Sequence, residues 1–237
     1  MSIAPRIEDF CSVDARLRTH PDMFVVEGNG INLFLLRNFM SSAECAVMKS
    51  LIDAYNRPSK VMGVSDDPMF RTSHSSPLAW SRHALIEAVD ARICDLTGID
   101  REFQESIEGQ RYGPGQEFKP HFDTFPVDQP YWPEQDRIGG QRTWTVMICV
   151  GQPEAGGGTM FPTAGVRMKP RVGNLLAWNN LDAMGGVNAA ALHCGERVEA
   201  GMKHILTKWH RERPFMPDCH VEHDVSSRLD QLKQKTG

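Results

Sequence analysis

Apolar residues recur along this chain with two different periods, and the change from one to the other divides the sequence. Between residues 41 and 98 they return every three to four positions. Ser41, Ser42, Ala43 and Glu44 form a capping-box pattern, in which a hydroxyl and a carboxylate satisfy each other's backbone N–H groups at a helix start. Val47, Met48, Leu51, Ile52 and Tyr55 then fall on one helical face, which should be buried. A second helix is predicted through Leu85, Ile86, Val89, Ile93 and Leu96, with Gly98 as its C-terminal stop. Beyond about residue 105 the runs shorten and the period falls to two. Within 143–150, Trp144, Val146, Ile148 and Val150 alternate with a mixed set, as in a half-buried strand. Within 201–209, Lys203, Ile205, Thr207 and Trp209 share one face, while Met202, His204, Leu206 and Lys208 share the other. Gly156, Gly157, Gly158 and Pro162 punctuate the next turn, and 173–178 supplies another strand. Many short strands joined by Gly and Pro turns predict a closed or double-sheet β architecture. The two helices would brace one side of it, giving an α+β fold.

Composition narrows the setting. At 237 residues and 41% hydrophobic content the chain suits one domain, 1–237, with a helical and strand support region (1–104), an extended core (105–213) and a tail (214–237). A formal charge of −4 provides no general field for nucleic acid or membrane, and neither is expected as a partner. Residues 1–10 lack the apolar run of a signal peptide and no stretch approaches a membrane span, so a cytoplasmic protein is expected. The six cysteines, at 11, 45, 94, 149, 194 and 219, show neither close pairs nor regular spacing, which argues against a disulfide framework. Cys149 and Cys194 read as small buried apolar residues.

The candidate chemistry begins with His121 and Asp123. On an extended strand, side chains two apart share a face, so both can reach one ion. A His-x-Asp pair alone is common by chance, and a third ligand must come from elsewhere; His193 is the candidate. Two imidazoles and one carboxylate on one face of an octahedral ion leave open positions for substrate and oxygen, as in non-haem Fe(II) oxygenases. Lys203 adds a second signal if its face points inward, since a buried lysine needs an anion. Removing one partner of such a pair costs about 3–5 kcal/mol. Periodicity equally allows Lys203 at a barrel rim, reaching water, with Trp209 filling core.

These residues and the blocks around them resemble the prolyl 4-hydroxylase family of Fe(II) and 2-oxoglutarate dependent dioxygenases. The resemblance runs in order through Arg71–Thr72–Ser73, Arg111–Tyr112–Gly113, His121 and Asp123, the segment 157–162, the segment 169–178, His193, Lys203 and Trp209, over about residues 35–213. It implies a double-stranded β-helix, or jelly-roll, core. It also implies Fe(II) held by His121, Asp123 and His193, and 2-oxoglutarate whose far carboxylate pairs with Lys203 and whose other end meets the metal. Tyr112 and Thr159 match positions that hydrogen-bond that cosubstrate, and Trp209 matches an aromatic of the site wall. The implied activity consumes O2 and 2-oxoglutarate, releases succinate and CO2 and hydroxylates a substrate, with ascorbate in support. His204 and His210 lack the spacing to Lys203 that the pattern requires. Because related halogenating enzymes lack the carboxylate ligand, Asp123 favours hydroxylation.

The substrate is read from what surrounds this set. The connection 124–141, with Pro126, Pro130, Pro133, Tyr131 and Trp132, and the Gly- and Ala-rich 179–191 are long enough to form substrate walls; 57–77, with Arg71, is a third. Arg142 could bind a substrate carbonyl or carboxylate. Phe118 stands where many prolyl hydroxylases carry tyrosine, and Arg211 where some peptide-acting members carry histidine. The leading expectation is hydroxylation of a prolyl residue in a peptide or protein. The alternatives are the same chemistry on a free amino acid or small metabolite, and a cupin-like metal- or ligand-binding protein without turnover. In the tail, Cys219, His220 and His223 lack a fourth zinc-type ligand at regular spacing, so a short helix through Val225, Leu229 and Leu232 is expected instead. Nothing in the pattern sets the oligomeric state.

Overall fold

Three helices precede the main strands, one more than the apolar periodicity predicts. The computed structural model describes residues 7–59, 67–81 and 83–216; the expected tail helix and the zinc alternative lie outside them. Helix α1 (Ile7–Thr19) escapes a periodicity search because Val13 and Leu17 are its only core members among the described side chains. It leads into an antiparallel hairpin of β1 (Met23–Val26) and β2 (Leu33–Leu36). Helix α2 (Ser42–Tyr55) carries the predicted capping box, with the Ser41 N–H donating to Glu44 Oε2 at 2.7 Å and the Glu44 N–H to Ser41 Oγ at 3.3 Å. Its buried seam is Cys45, Met48 and Ile52. Val47, expected on that face, points outward and is 38% exposed, because only a narrow i, i+3, i+7 stripe meets the sheet.

The strands β3 (Arg57–Pro58) and β4 (His74–Pro77) precede α3 (Ala84–Thr97), which ends as predicted at Gly98, φ +73°. The Gly98 N–H donates to the Cys94 carbonyl at 2.8 Å. Then follow β5 (Glu108–Tyr112), β6 (Phe118–His121), the short helix α4 (Trp132–Arg137), β7 (Arg142–Gly151), β8 (Ala155–Gly156) and β9 (Thr159–Phe161). The last strands are β10 (Val166–Met168), β11 (Leu175–Asn179), β12 (His193–Gly195), β13 (Val198–Ala200) and β14 (Lys203–Arg211). The connection 124–141, expected as a plain loop, thus contains α4.

Eight strands form one sheet in the order β1-β2-β11-β7-β14-β5-β4-β3, and four form a second, β10-β9-β12-β6; β13 and β8 make a separate pair. The two sheets enclose a double-stranded β-helix, and the helices cover the outer face of the larger one. Both faces of its central strands are therefore buried, so 143–150 is not half-exposed as its alternation suggested. The alternation decides which layer a residue serves. Trp144, Val146, Ile148 and Val150 join Met48, Ile52, Val89 and Ile93 in the helix-side core. On the inner side, Leu33, Leu176 and Trp178 pack with Phe161 and Val166 of the smaller sheet. Gly109 permits the tight approach of α2 to β5, since a Cβ there would stand 2.5 Å from Ile52 Cγ1.

On its helix side β14 pairs polar side chains with the two helices that cover it. The Lys208 ammonium meets Asp90 Oδ1 of α3 at 2.8 Å, both residues being buried, and His204 Nε2 lies 3.0 Å from Asp53 Oδ1 of α2. Asp90→Ala leaves the Lys208 ammonium buried without its partner, so a loss of about 3–5 kcal/mol in urea denaturation is expected, with the double change Asp90→Leu/Lys208→Met far closer to wild type. A loss below about 1 kcal/mol in the single variant would mean that Lys208 reaches solvent on its own.

Candidate active site

His121 ends β6 and His193 begins β12, and the two face each other as register partners across the smaller sheet. Asp123, two positions after His121, completes a cluster whose ligand atoms all lie within 4.8 Å of one another. His121 Nε2 is 3.9 Å from Asp123 Oδ1, and His193 Nε2 is 3.8 Å from Asp123 Oδ2, separations that leave space between them for one ion. Each imidazole is oriented from behind: Nδ1 of His121 lies 2.8 Å from the Lys119 carbonyl and Nδ1 of His193 lies 3.0 Å from the Ala191 carbonyl. With Nδ1–H donating to those carbonyls, both Nε2 lone pairs turn toward Asp123, the tautomer a metal ligand needs.

The ionisation states agree with that role. Burial pushes His121 down to about 3, which keeps the ring neutral. Burial would raise the Asp123 pKa, but His193, His121, Arg142 and the Thr145 hydroxyl outweigh it and hold the carboxyl below its ordinary range. Thr145 Oγ1 donates to Asp123 Oδ2 at 2.7 Å, and Asn180 Nδ2–H donates to Thr145 Oγ1 at 2.8 Å, so a fixed chain sets the carboxylate plane. Phe118 stacks on His121, centroids 3.5 Å apart, while Trp178 meets His193 edge-on at 5.0 Å. Two imidazoles and one ionised carboxylate, with the rings clamped and one face open to a cavity, fit Fe(II).

Lys203 lies on the wall of the same cavity, and its β-register partner is Tyr112. It is 2% exposed and has no hydrogen-bond or ion-pair partner among the described residues. Burial lowers its pKa to about 8. Inward burial, not the rim position, is therefore its setting. Thr159, at the start of β9, and Tyr112 line this cavity too, with Met147, Ile205, Thr207 and Trp209. The Tyr112 hydroxyl donates to Gln110 Oε1 at 2.8 Å.

Comparison with known proteins agrees with this geometry. Residues 107–211 match the 2OG-Fe(II) oxygenase superfamily. The protein named probable prolyl 4-hydroxylase 3 of Arabidopsis thaliana is 31% identical over 199 residues, covering 74% of this chain and 68% of that one. The chain belongs to the prolyl 4-hydroxylase family of 2-oxoglutarate and Fe(II) dependent dioxygenases. Human prolyl 4-hydroxylase subunit alpha-1 is 30% identical over 181 residues, which span 74% of this chain and 34% of that longer one. Among solved structures, a viral collagen prolyl hydroxylase from Paramecium bursaria Chlorella virus-1, in a 2-oxoglutarate complex, superposes with a TM-score of 0.60 at 25% identity, over 79% of this chain and 99% of that one. As a member of this family the protein is a dioxygenase that uses Fe(II) as its metal and 2-oxoglutarate and O2 as cosubstrates.

The residues read from sequence as substrate contacts divide in this dioxygenase. Phe118 and Trp209 line the metal cavity. Arg71 sits behind Phe118, its guanidinium 4.8 Å from the ring centre, and pairs with Glu108 at 3.1 Å, so it braces the ring that stacks on His121. Arg142 is not free to seize a carboxylate: it grips Glu105 bidentately at 2.6 and 2.8 Å and lies 3.8 Å over the Trp209 ring. Arg211 reaches the same Glu105 at 2.7 Å and Gln135 of α4 at 2.7 Å. Burial opposes ionisation of Glu105, but Arg142 and Arg211 prevail and keep its pKa low. The two arginines therefore anchor the 124–141 connection to the barrel.

Sequence reading missed Glu105, Gln110, Thr145 and Asn180. Two of them were within reach: Thr145 alternates with Trp144 onto the inner face of β7, and Gln110 shares a strand face with Tyr112. Thr145→Val keeps the shape but removes the donor to Asp123, and about a 10–100-fold weaker Fe(II) affinity is expected. Titration of the purified apoprotein with ferrous iron under anaerobic conditions measures this. Unchanged affinity would show that Asp123 needs no support from β7.

Proposed function

We propose that this enzyme hydroxylates a prolyl residue of a peptide or protein in the cytoplasm, converting 2-oxoglutarate and O2 to succinate and CO2, with ascorbate as a supporting reductant. The observation that carries the reading is a buried Lys203, without an anionic partner among the described residues, on the wall of the same cavity as the His121, Asp123 and His193 cluster. A dianion that meets a metal at one end and an ammonium at the other satisfies both features together. Iron bound there supplies the activation of O2 that is coupled to loss of CO2 from the cosubstrate.

The chain's own groups have defined tasks in this scheme. Lys203 neutralises the far carboxylate, Thr159 donates its hydroxyl to it, and Tyr112 turns its hydroxyl from Gln110 toward it. Thr145 and Asn180 hold the Asp123 carboxylate in one orientation, facing His121 and His193, the three residues that would hold the iron. Met147, Ile205, Trp178 and Trp209 wall the cavity with apolar surface and exclude water from the reactive species. Phe122 and Val127, 38% and 64% exposed beside the ligand segment, give a non-polar surface suited to an extended peptide.

Succinate release and a +16 mass shift after incubation with proline-containing peptides, set against free proline and a metabolite panel, test the substrate. Turnover with peptides and its loss in Asp123→Ala are expected; a +16 product only on a free amino acid or metabolite would reject the peptide assignment.

Lys203 must be protonated to hold a carboxylate, and its low pKa in the anion-free protein makes this pH-dependent. Below about pH 8 the ammonium is present and affinity is flat; above it, binding must take up a proton, so KM for 2-oxoglutarate rises by up to about tenfold per pH unit. Lys203→Arg should flatten that rise, and Lys203→Ala should raise KM by about two orders of magnitude at pH 7. Steady-state kinetics between pH 7 and 9.5 decide it, and a wild-type KM that stays constant across the range contradicts the assigned role.

A further inference from the structure

Behind Lys203 the barrel opens into a second and larger cavity, of about 500 Å³. Met147, Thr159, Lys203 and Ile205 form the partition it shares with the metal-side cavity, and none of the three metal ligands lines it. Leu35, Leu176 and Cys149 make an apolar floor from the inner face of the larger sheet. The rim is the segment 169–174 together with the end of β2.

The charges around this cavity are all of one sign. Arg37, Lys169, Arg171 and Lys203 line it, and no aspartate or glutamate does, in a chain whose formal charge is −4. Arg37 rests over the Phe24 ring at 4.5 Å, and neither it nor Lys169 nor Arg171 has a carboxylate partner among the described residues. Asn174 adds directed donors: its Oδ1 accepts the Asn38 N–H at 3.3 Å, which leaves its NH2 group to donate. Arg37, Lys169 and Arg171 stand exposed at the rim and Lys203 is buried between the two cavities, so their summed field favours an anion entering this concavity.

We propose that this cavity binds a small multivalent oxyanion, such as phosphate, sulfate or a tricarboxylate, and that its occupation weakens 2-oxoglutarate binding through Lys203, the one cation both cavities share. An anion behind Lys203 sets negative charge close to the cosubstrate's far carboxylate and draws ammonium donors away from it. Only this coupling rests on the cosubstrate role proposed for Lys203; the binding site itself does not.

Metal-free protein is titrated with sodium sulfate against sodium chloride at matched ionic strength, thermal unfolding being the readout, and then with phosphate and citrate to separate inorganic from carboxylate ligands. A saturable rise in Tm with the multivalent anions is expected, because a ligand stabilises the state it binds whereas general salt effects do not saturate. In the surface double variant Lys169→Gln/Arg171→Gln the apparent Kd should weaken at least about tenfold, while Lys203→Met retains most of the stabilisation. The reverse pattern, loss in Lys203→Met and retention in the double variant, would put the anion in the metal-side cavity and overturn the proposal, as would the absence of saturation. In the iron-loaded enzyme, sulfate should raise KM for 2-oxoglutarate without lowering kcat, and the double variant should resist it. Saturable binding with an unchanged KM would overturn the coupling. An enzyme that does not consume 2-oxoglutarate at all would instead refute the proposed function and leave the unfolding result standing.

Discussion

Burial of β7 and β14 on both faces is the constraint from which the rest of this structure follows. A strand with one wet face can place any polar residue there, but these strands have helices on one side and the smaller sheet on the other. Every second side chain must therefore serve a different layer. On β7 the even positions from Trp144 to Val150 are apolar and pack against the helices, while Thr145, Met147 and Cys149 face the barrel interior. The polar group the metal site requires, the Thr145 hydroxyl, can thus lie one residue from a core tryptophan. A register slip of one residue would exchange the two sets and destroy core and site together.

The same constraint governs the charges. A cation inside this double layer must find an anion, and most do so within the protein: Lys208 with Asp90, Arg142 and Arg211 with Glu105. These pairs tie different elements together, α3 to β14 in the first case and the segment leading into β5 to β7 and β14 in the second. Removing water from them makes each pair depend on both members, so they specify packing even where their net contribution to stability is modest. Lys203 departs from this pattern. Its face of β14 is as dry as that of Lys208, yet no carboxylate among the described residues pairs with it. That contrast between two lysines five residues apart on one strand separates a structural cation from the one for which a cosubstrate role is proposed.

Much of this was legible in the sequence because period and spacing are local properties. The capping box at Ser41, the stop at Gly98 and the two faces of β14 follow from neighbours along the chain. His121 and Asp123 follow for the same reason, since two residues apart on a strand share a face. Arg142 did not follow. Its environment is set by Glu105, 37 positions away, and by the Trp209 ring, and a lone arginine at a strand end looks the same whether it binds a substrate or a protein carboxylate. Val47 failed for a related reason: helical periodicity gives a wide apolar face, but the width of the buried stripe is decided by how the helix crosses the sheet. The helix α4 was hidden because its segment reads as a Pro-rich connection, and the anchor that fixes it, Arg211 to Gln135, spans 76 residues.

Charge neutrality links the two ends of the site. Taken alone, the dry cavity holds one negative carboxylate at Asp123 and, on another part of its wall, one positive ammonium at Lys203, and imidazoles ligate a metal only in their neutral form. A divalent metal added at the histidines leaves an excess of two positive charges in a place where uncompensated charge is costly. A dianion bridging from metal to lysine removes that excess, and a monoanion or a neutral ligand does not. The selectivity for a dicarboxylate therefore resides in the sum of charges that the buried wall enforces as much as in any single hydrogen bond. It also follows that the cationic cavity behind Lys203 is no neutral bystander, since any anion resident there changes the same sum from the opposite side of the one lysine on which the balance turns.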